Sequence, residues 1–235
     1  MMIYHDLADY YDDLVKDEEA TMRWADLSES VLGKHRNTIL ELACGSAEIS
    51  CELARRGYSV LATDLSEDML MKAKEKNMAE NLQFQPLNMI SFDLNKRFDA
   101  VLCYCDSINY LANLNEVQSM FQSVKKHLKE EGIFIFDMHT PERLQEFNEE
   151  FIEEGMIDDV PYQWTIVTQE DEIHHHFAFW KDGKVMQEFH VQHVFDLNDL
   201  LSLLQKEGFK TEVLVDFDQD VNTPGEKYFV IGRLA

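Results

Sequence analysis

Short apolar runs alternate with amphipathic stretches between residues 38 and 137. The runs have the length of buried strands, and the stretches between them carry apolar residues at the spacing of one helix face. The pattern predicts strands at Thr38–Leu42, Tyr58–Thr63, Leu82–Gln85, Phe98–Tyr104 and Gly132–Asp137, and helices at Ala47–Arg56, Glu67–Asn77 and Leu114–Glu130. Strands and helices in this order predict a doubly wound α/β fold with a mostly parallel sheet.

This alternation stops after Pro141. Residues 142–159 hold eight carboxylates and one arginine, and no strand is predicted there. Pairs of turn residues then separate three strand-like runs, so the segment 142–195 predicts an inserted antiparallel β meander with strands at Tyr162–Gln169, Glu172–Trp180 and Lys184–Phe195. The α/β pattern closes the chain and completes a seven-stranded sheet, with a helix capped by Asp196 and strands at Thr211–Phe217 and Lys227–Gly232.

A helical pattern covers residues 1–32. Apolar side chains recur at helical spacing up to Gly33, beginning with Leu7, Tyr10, Tyr11 and Leu14. The chain contains no repeat and no low-complexity linker. We therefore expect a single domain over residues 1–235.

The charge balance limits the possible partners. The chain has 45 acidic and 21 basic residues, a net charge of −24 with neutral histidines. Because such a surface repels phosphate groups, we expect neither nucleic acid nor a membrane as a partner. The apolar runs are too short for a bilayer span, and the chain opens with acidic residues rather than a leader pattern, so a cytoplasmic location is expected. The four cysteines lie in apolar stretches and are expected to be buried and reduced.

The segment from Thr38 to Ile49 combines a buried strand, a loop of small residues and a helix start. A ligand can approach the backbone at such a loop. The next strand ends in Asp64, where a carboxylate can hold ribose hydroxyls. A dinucleotide loop would need glycine in place of Glu48, whose charge would repel a pyrophosphate. A nucleotide-dependent oxidoreductase is therefore the weaker alternative.

These residues resemble the first motifs of the class I S-adenosylmethionine-dependent methyltransferases. The first motif reads Glu41-Leu-Ala-Cys-Gly-Ser-Ala47, with alanine at two positions where the family usually has glycine, and Asp64-Leu65 is similar to the second. Residues 87–92, with asparagine where aspartate is commoner, resemble the third motif, and residues 98–111 resemble the fourth. The resemblance spans most of the chain and implies a Rossmann-like fold in which residues 1–32 form a helical lid.

The resemblance also implies S-adenosylmethionine as the cofactor. Glu41 would orient its methionine end, Asp64 would bind the ribose hydroxyls, and Asn88 with the Met89 backbone would read the adenine edge. Backbone atoms near Cys105 would face the methionine amino group. The full set of expected cofactor-binding residues is Tyr11, Trp24, Glu41, Ala43, Gly45, Asp64, Leu65, Asn88, Met89 and Cys105.

Methyl transfer mainly requires a nucleophile placed in line with the sulfur–methyl bond, and a base is needed only when the acceptor arrives protonated. The candidates for catalytic roles near the strand ends are Asp106, Tyr110 and His139. We expect a small-molecule acceptor and a monomer or homodimer. A non-catalytic S-adenosylmethionine-binding regulatory module is the alternative from a different functional class.

The triple His174-His175-His176 is not expected to bind a metal, because neighbouring residues of a strand point to opposite faces. If Asp182-Gly183 forms a two-residue turn, His175 lies opposite His190, and two histidines alone are a weak zinc site. Both faces of this hairpin are partly apolar. We expect one to pack on the parent sheet and the cofactor cleft, and the other to form a wall of the acceptor pocket or a dimer contact.

Overall fold

A seven-stranded sheet, called the parent sheet below, forms the centre of this computed structural model. The structure describes residues 8, 10–33, 35–76 and 79–234. The strands of the parent sheet are Thr38–Glu41 (β1), Ser59–Asp64 (β2), Leu82–Pro86 (β3), Phe98–Cys103 (β4), Leu128–His139 (β5), Phe209–Val215 (β10) and Lys227–Leu234 (β11). They are ordered β10-β11-β5-β4-β1-β2-β3, and β11 runs antiparallel to both of its neighbours. The predicted α/β fold is confirmed.

The described part of the chain contains seven α-helices. They are Tyr11–Val15 (α1), Glu18–Leu32 (α2), Glu48–Arg55 (α3), Glu67–Lys76 (α4), Leu114–His127 (α5), Pro141–Glu146 (α6) and Leu197–Lys206 (α7). The Ser66 hydroxyl accepts from the Met69 amide at α4, and Asp196 accepts from the Asn198 amide at α7, as the pattern predicts. The predicted helical positions Leu7 and Asn77 lie outside the described residues.

Successive residues of each central strand enter different buried clusters. Leu40 and Phe134 belong to one cluster with α5 and α7, whereas Ile39 and Ile135 belong to the other with α2 and α3. Because helices cover both faces of the sheet, both sets of side chains are buried, and the central strands carry apolar residues on both faces.

The predicted helix Leu114–Glu130 is too long by three residues, because α5 ends at His127. Leu128 is fully buried and already pairs with Phe98, and the register between the two strands then shifts. Gly132 follows this irregularity, where an added Cβ would lie 2.8 Å from the Lys129 carbonyl oxygen. Burial of Leu128 and the tight bulge therefore override the helical pattern.

The acidic segment 142–159 contains a strand that the pattern missed. Phe151–Ile157 (β6) joins Val160–Gln169 (β7), Glu172–Lys181 (β8) and Lys184–His193 (β9) in a four-stranded antiparallel sheet, the insertion sheet, ordered β6-β7-β8-β9. Its acids are tolerated because β6 is an edge strand, where Tyr162 donates its hydroxyl to Glu153 over 2.7 Å. The meander thus has four strands rather than three.

The hairpin of β8 and β9 has the predicted register, with His175 opposite His190. Its inner face carries the buried side chains of Ile173, Phe177, Phe179, Glu188 and His190. Tyr10 stacks on Phe179 with ring centroids 4.5 Å apart, so the N-terminal segment covers one end of this face. The outer face is open in the single chain, with exposed fractions of 41% for Trp180, 52% for Val185 and 51% for Phe189.

The last part of the chain also departs from the pattern. The predicted strand Thr211–Phe217 lies at Phe209–Val215, because Asp216 and Phe217 have positive φ angles of 45° and 82° and form a turn. The Phe217 ring then packs against Phe229, with centroids 4.2 Å apart. Phe217, whose side chain is typical of a strand, therefore lies in a turn and packs on the sheet through its ring.

Candidate active site

The carboxyl ends of the parallel strands open into a cavity of about 600 Å³. The insertion sheet forms the opposite wall, so the cavity lies between the two sheets. Every site residue that the sequence predicted lines it: Tyr11, Trp24, Glu41, Ala43, Gly45, Asp64, Leu65, Asn88, Met89, Cys105, Asp106, Tyr110 and His139. Their individual roles stay predictions.

The loop after β1 bends through three small residues. Ala43, Gly45 and Ala47 have φ angles of 52°, 54° and 65°, in the left-handed region. Alanine at two of these positions costs about 1 to 2 kcal/mol each, which explains why glycine is the usual choice. A Cβ on Gly45 would lie 3.4 Å from the Met69 methyl group, an ordinary contact, so glycine is favoured here by its positive φ angle and not by lack of space.

Asp64 at the end of β2 holds this loop in place. One carboxylate oxygen accepts from the Gly45 amide and the other from the Ser66 amide, both over 2.8 Å. Burial raises the pKa of this carboxyl group, and the backbone hydrogen bonds oppose that rise. Each carboxylate oxygen can accept a further hydrogen bond, so Asp64 can hold the loop and a pair of hydroxyl groups together.

Glu41 at the end of β1 is nearly inaccessible, with an exposed fraction of 3%. The Ser50 hydroxyl donates a hydrogen bond to it. Desolvation raises its pKa to about 7, with Asp64 adding to the rise and Ser50 opposing it. A positively charged group bound nearby would stabilise the ionised form of Glu41 and lower its pKa.

Asn88 forms a turn beyond β3, where its side-chain oxygen accepts from the Ile90 amide over 2.9 Å. This bond does not use the amide nitrogen, so Asn88 can still donate to an adenine ring. Leu65, with an exposed fraction of 60%, lies at the rim of the cavity. Cys105 is exposed as well and Cys44 is half-buried, so the expectation that all four cysteines are buried is wrong for these two residues.

A charge cluster lies where β4, β5 and β11 meet. The Lys227 ammonium group contacts Asp106, whose backbone amide donates to Asp137 over 2.8 Å. Trp24 donates its indole N–H to the other Asp137 oxygen over 2.7 Å. Desolvation would raise the pKa of Asp106, but the protonated form of His139 and the Lys227 ammonium group lower it to about 2. Desolvation raises the pKa of Asp137 to about 6 despite Lys227.

His139 ends β5 and lies beside this cluster. Its Nδ1 is 3.5 Å from an Asp106 oxygen and has no hydrogen-bond partner among the described residues. Its Nε2 is 3.0 Å from the side-chain oxygen of Gln192. Burial lowers the pKa of His139, and Asp106 opposes that change. Burial therefore favours the neutral imidazole, whose Nδ1 is almost inaccessible to solvent and faces Asp106 at the wall of the cavity.

The structure adds lining residues that were not among the individual site predictions, although one face of the hairpin was expected to pack on the cofactor cleft. From the inner face of the insertion sheet these are Trp164, Ile166, His175, Phe177, His190 and Gln192, and Arg143 and Lys227 join from α6 and β11. Lys227 could have been found, because the first residue of an antiparallel last strand lies at the edge where the parallel strands end. The docking of the insertion sheet has no comparable local signal.

The histidine triple follows the expected alternation. His174 lies 2.8 Å from Glu172, and the His176 ring stacks on Phe189 at 4.2 Å, while His175 points into the cavity. Within the described part of the chain, no group of three or more metal-ligating side chains was found. None of the helices described is long and apolar enough to cross a membrane.

Comparison with known proteins identifies the family. A family model described as "Methyltransferase domain" matches residues 39–132. The chain is 33% identical to "Putative methyltransferase YqeM" of Bacillus subtilis (strain 168), over 97% of this chain and 96% of that protein. The chain belongs to the class I S-adenosylmethionine-dependent methyltransferases. This confirms the predicted enzyme class and its cofactor, S-adenosylmethionine, and nothing found supports the non-catalytic alternative.

Solved structures agree with the methyltransferase fold. A methyltransferase from Clostridium acetobutylicum ATCC 824 has a TM-score of 0.83 at 24% identity, with 99% of both chains covered. The sugar N-methyltransferase KedS8 from Streptoalloteichus sp ATCC 53650 has a TM-score of 0.81 at 22% identity, covering 100% of this chain and 94% of that one. The methyltransferase cavity also fits the cofactor, because carboxylates at Glu41 and Asp64 flank a loop of small residues at which a ligand can approach the backbone.

Proposed function

We propose that this methyltransferase transfers a methyl group to the amine of a small molecule held between the parent sheet and the insertion sheet. The observation that carries the proposal is the bare Nδ1 of His139, a buried base beside Asp106. The similarity in fold to a sugar N-methyltransferase supports an amine acceptor. The acidic groups at the strand ends also favour an acceptor that arrives as an ammonium ion.

In this proposal the cofactor half of the cavity keeps the roles that the family resemblance implies, and the position of these residues in the cavity supports them. Asp64 binds ribose hydroxyls, Glu41 orients the methionine end, and Asn88 with Met89 reads the adenine edge. Tyr11 and Trp24 close the cavity from the N-terminal helices. When bound, S-adenosylmethionine supplies an electrophilic methyl group on a sulfonium ion.

The acceptor half uses the remaining residues. His139 takes a proton from the acceptor ammonium at Nδ1, which leaves a neutral amine as the nucleophile. Asp106 is a poor base, because its pKa is about 2, but its carboxylate stabilises the imidazolium that forms. Tyr110, whose hydroxyl lies 3.3 Å from His190, and Phe177 shape the wall and exclude water.

The test separates cofactor binding from methyl transfer. Calorimetry should show binding of S-adenosylmethionine and S-adenosylhomocysteine but not of NADH. A panel of small amines, each paired with the matching alcohol, is then screened by mass spectrometry for S-adenosylhomocysteine production. We expect turnover with amines, and a loss of about 100-fold or more in kcat for His139→Ala with unchanged cofactor affinity. Turnover with alcohols alone, or a fully active His139→Ala, would contradict the proposal.

A further inference from the structure

A chain of polar side chains crosses the inner face of the insertion sheet and ends at His139. It starts at Trp164 on β7, whose indole nitrogen lies 3.3 Å from Nδ1 of His175 on β8. Nε2 of His175 lies 3.0 Å from the side-chain oxygen of Gln192 on β9. The same oxygen lies 3.0 Å from Nε2 of His139. Gln192 is buried, with an exposed fraction of 5%.

The positions of the protons along this chain follow from its first member. An indole N–H can only donate, so Nδ1 of His175 is an acceptor and carries no proton. A neutral imidazole then has its proton on Nε2, and His175 donates to Gln192. The side-chain oxygen of Gln192 is thereby oriented towards both histidines. Because that oxygen can only accept, His139 also carries its proton on Nε2.

We propose that Gln192, oriented by Trp164 and His175, is a positioning residue that holds the proton of His139 on Nε2. Nδ1 is then the basic atom of His139 and faces Asp106 beside the cavity. This inference rests on the proposed function of His139 as the base. It also gives the insertion sheet a chemical role, because three of its four strands contribute one member each to the chain.

The other charged groups around His139 show why such a residue is needed. Asp106, next to the short 3-10 helix Ser107–Tyr110, lies 3.5 Å from Nδ1 and attracts a proton to that atom. Lys227 of β11 and Arg143 of α6 disfavour the charged imidazolium. Without an acceptor at Nε2, the neutral ring gains by turning its proton towards Asp106, which removes the free lone pair from Nδ1.

The test reads the proton position directly by nitrogen NMR of protein labelled with 15N-histidine, without any acceptor substrate. Spectra of His139→Asn and His175→Asn variants assign the two rings. The wild-type chain should show both as the Nε2–H form. In Gln192→Leu and Trp164→Phe we expect the ratio of the Nε2–H to the Nδ1–H form of His139 to fall at least about tenfold. Gln187→Leu and Trp180→Phe, at exposed positions on the outer face, are matched controls and should leave it unchanged.

A conservative variant covers the case in which Gln192→Leu does not fold. Gln192→Glu keeps an acceptor at Nε2 and adds a negative charge, so both histidines should keep the Nε2–H form while their pKa values rise. A wild-type His139 protonated on Nδ1 would overturn the inference. So would a proton position that neither Gln192→Leu nor Trp164→Phe changes. Failure to find an acceptor would leave these spectra intact. A fully active His139→Ala with the expected spectra would instead refute only the proposed function.

Discussion

The buried carboxyl group of Glu41 should make the stability of this methyltransferase depend on pH. Its pKa is raised from 4.5 to about 7, mainly because the group is desolvated. Between these two values the folded state holds a proton that the unfolded state has released. Stability is therefore greatest below the lower value and is lost as the pH rises through the higher one.

The size of this loss follows from the two pKa values. A shift of one pKa unit corresponds to about 1.36 kcal/mol, and between about pH 5.5 and about pH 8 the contribution of Glu41 falls by about 2 kcal/mol. Glu41→Gln removes the ionisation but keeps an oxygen that can accept from Ser50. The variant should therefore gain about 2 kcal/mol relative to the wild type over this range.

Urea unfolding, followed by circular dichroism at constant ionic strength, measures this difference. Glu154→Gln, at an exposed position of the edge strand β6, is the matched control and should change stability by less than about 0.5 kcal/mol at each pH. A free-energy difference between Glu41→Gln and the wild type that stays constant from about pH 5.5 to about pH 8 would refute the reasoning. It would mean that Glu41 does not titrate in this range.

Three further outcomes are expected. Asp64→Ala removes a charged acceptor and should weaken S-adenosylmethionine binding by about tenfold to a hundredfold in calorimetry; an unchanged Kd would show that this carboxylate holds only the loop. Phe177→Ala should lower acceptor turnover more than cofactor affinity, whereas Trp180→Ala, on the open outer face, should change neither; equal effects would contradict the assignment of the two faces. Lys227→Met leaves the half-buried Asp106 carboxylate without its cation and should lower the free energy of unfolding by about 1 to 3 kcal/mol, and an unchanged stability in urea would argue against that pairing.

The strands of the parent sheet could be predicted from the sequence because local composition defines them. Continuous apolar runs locate β1, β2 and β4, and the acids that end the first two, Glu41 and Asp64, mark the site edge. The strand β6 could not be predicted in this way, because an edge strand can carry acids at its exposed positions. Its pairing depends on β7, which the acidic pattern does not show.

The side of the site formed by the parent sheet was predicted for the same local reason, whereas the positions of the residues from the insertion sheet were not. Residues such as Asn88 and His139 follow strand ends, so their place at one edge of the sheet could be predicted. Gln192 and Trp164 belong to a second sheet, and their distance from His139 depends on how the two sheets dock. The register from Asp182-Gly183 predicted the face of β8 and β9 that carries His175, and one face was expected to pack on the cofactor cleft. No sequence pattern shows that Gln192 and Trp164 come close to His139.

The position of the insertion sheet within the chain bears on the order of folding. β5 and β11 are neighbours in the parent sheet, yet β6 to β10 and α7 lie between them in the sequence. Bringing such distant segments together costs loop-closure entropy before their pairing is gained. The insertion hairpins join residues close in sequence, so we expect them to form early and to shorten the loop that remains. Because Lys227 reaches Asp106 only when β11 docks, we expect the charge cluster of the active site to be among the last parts of the molecule to assemble.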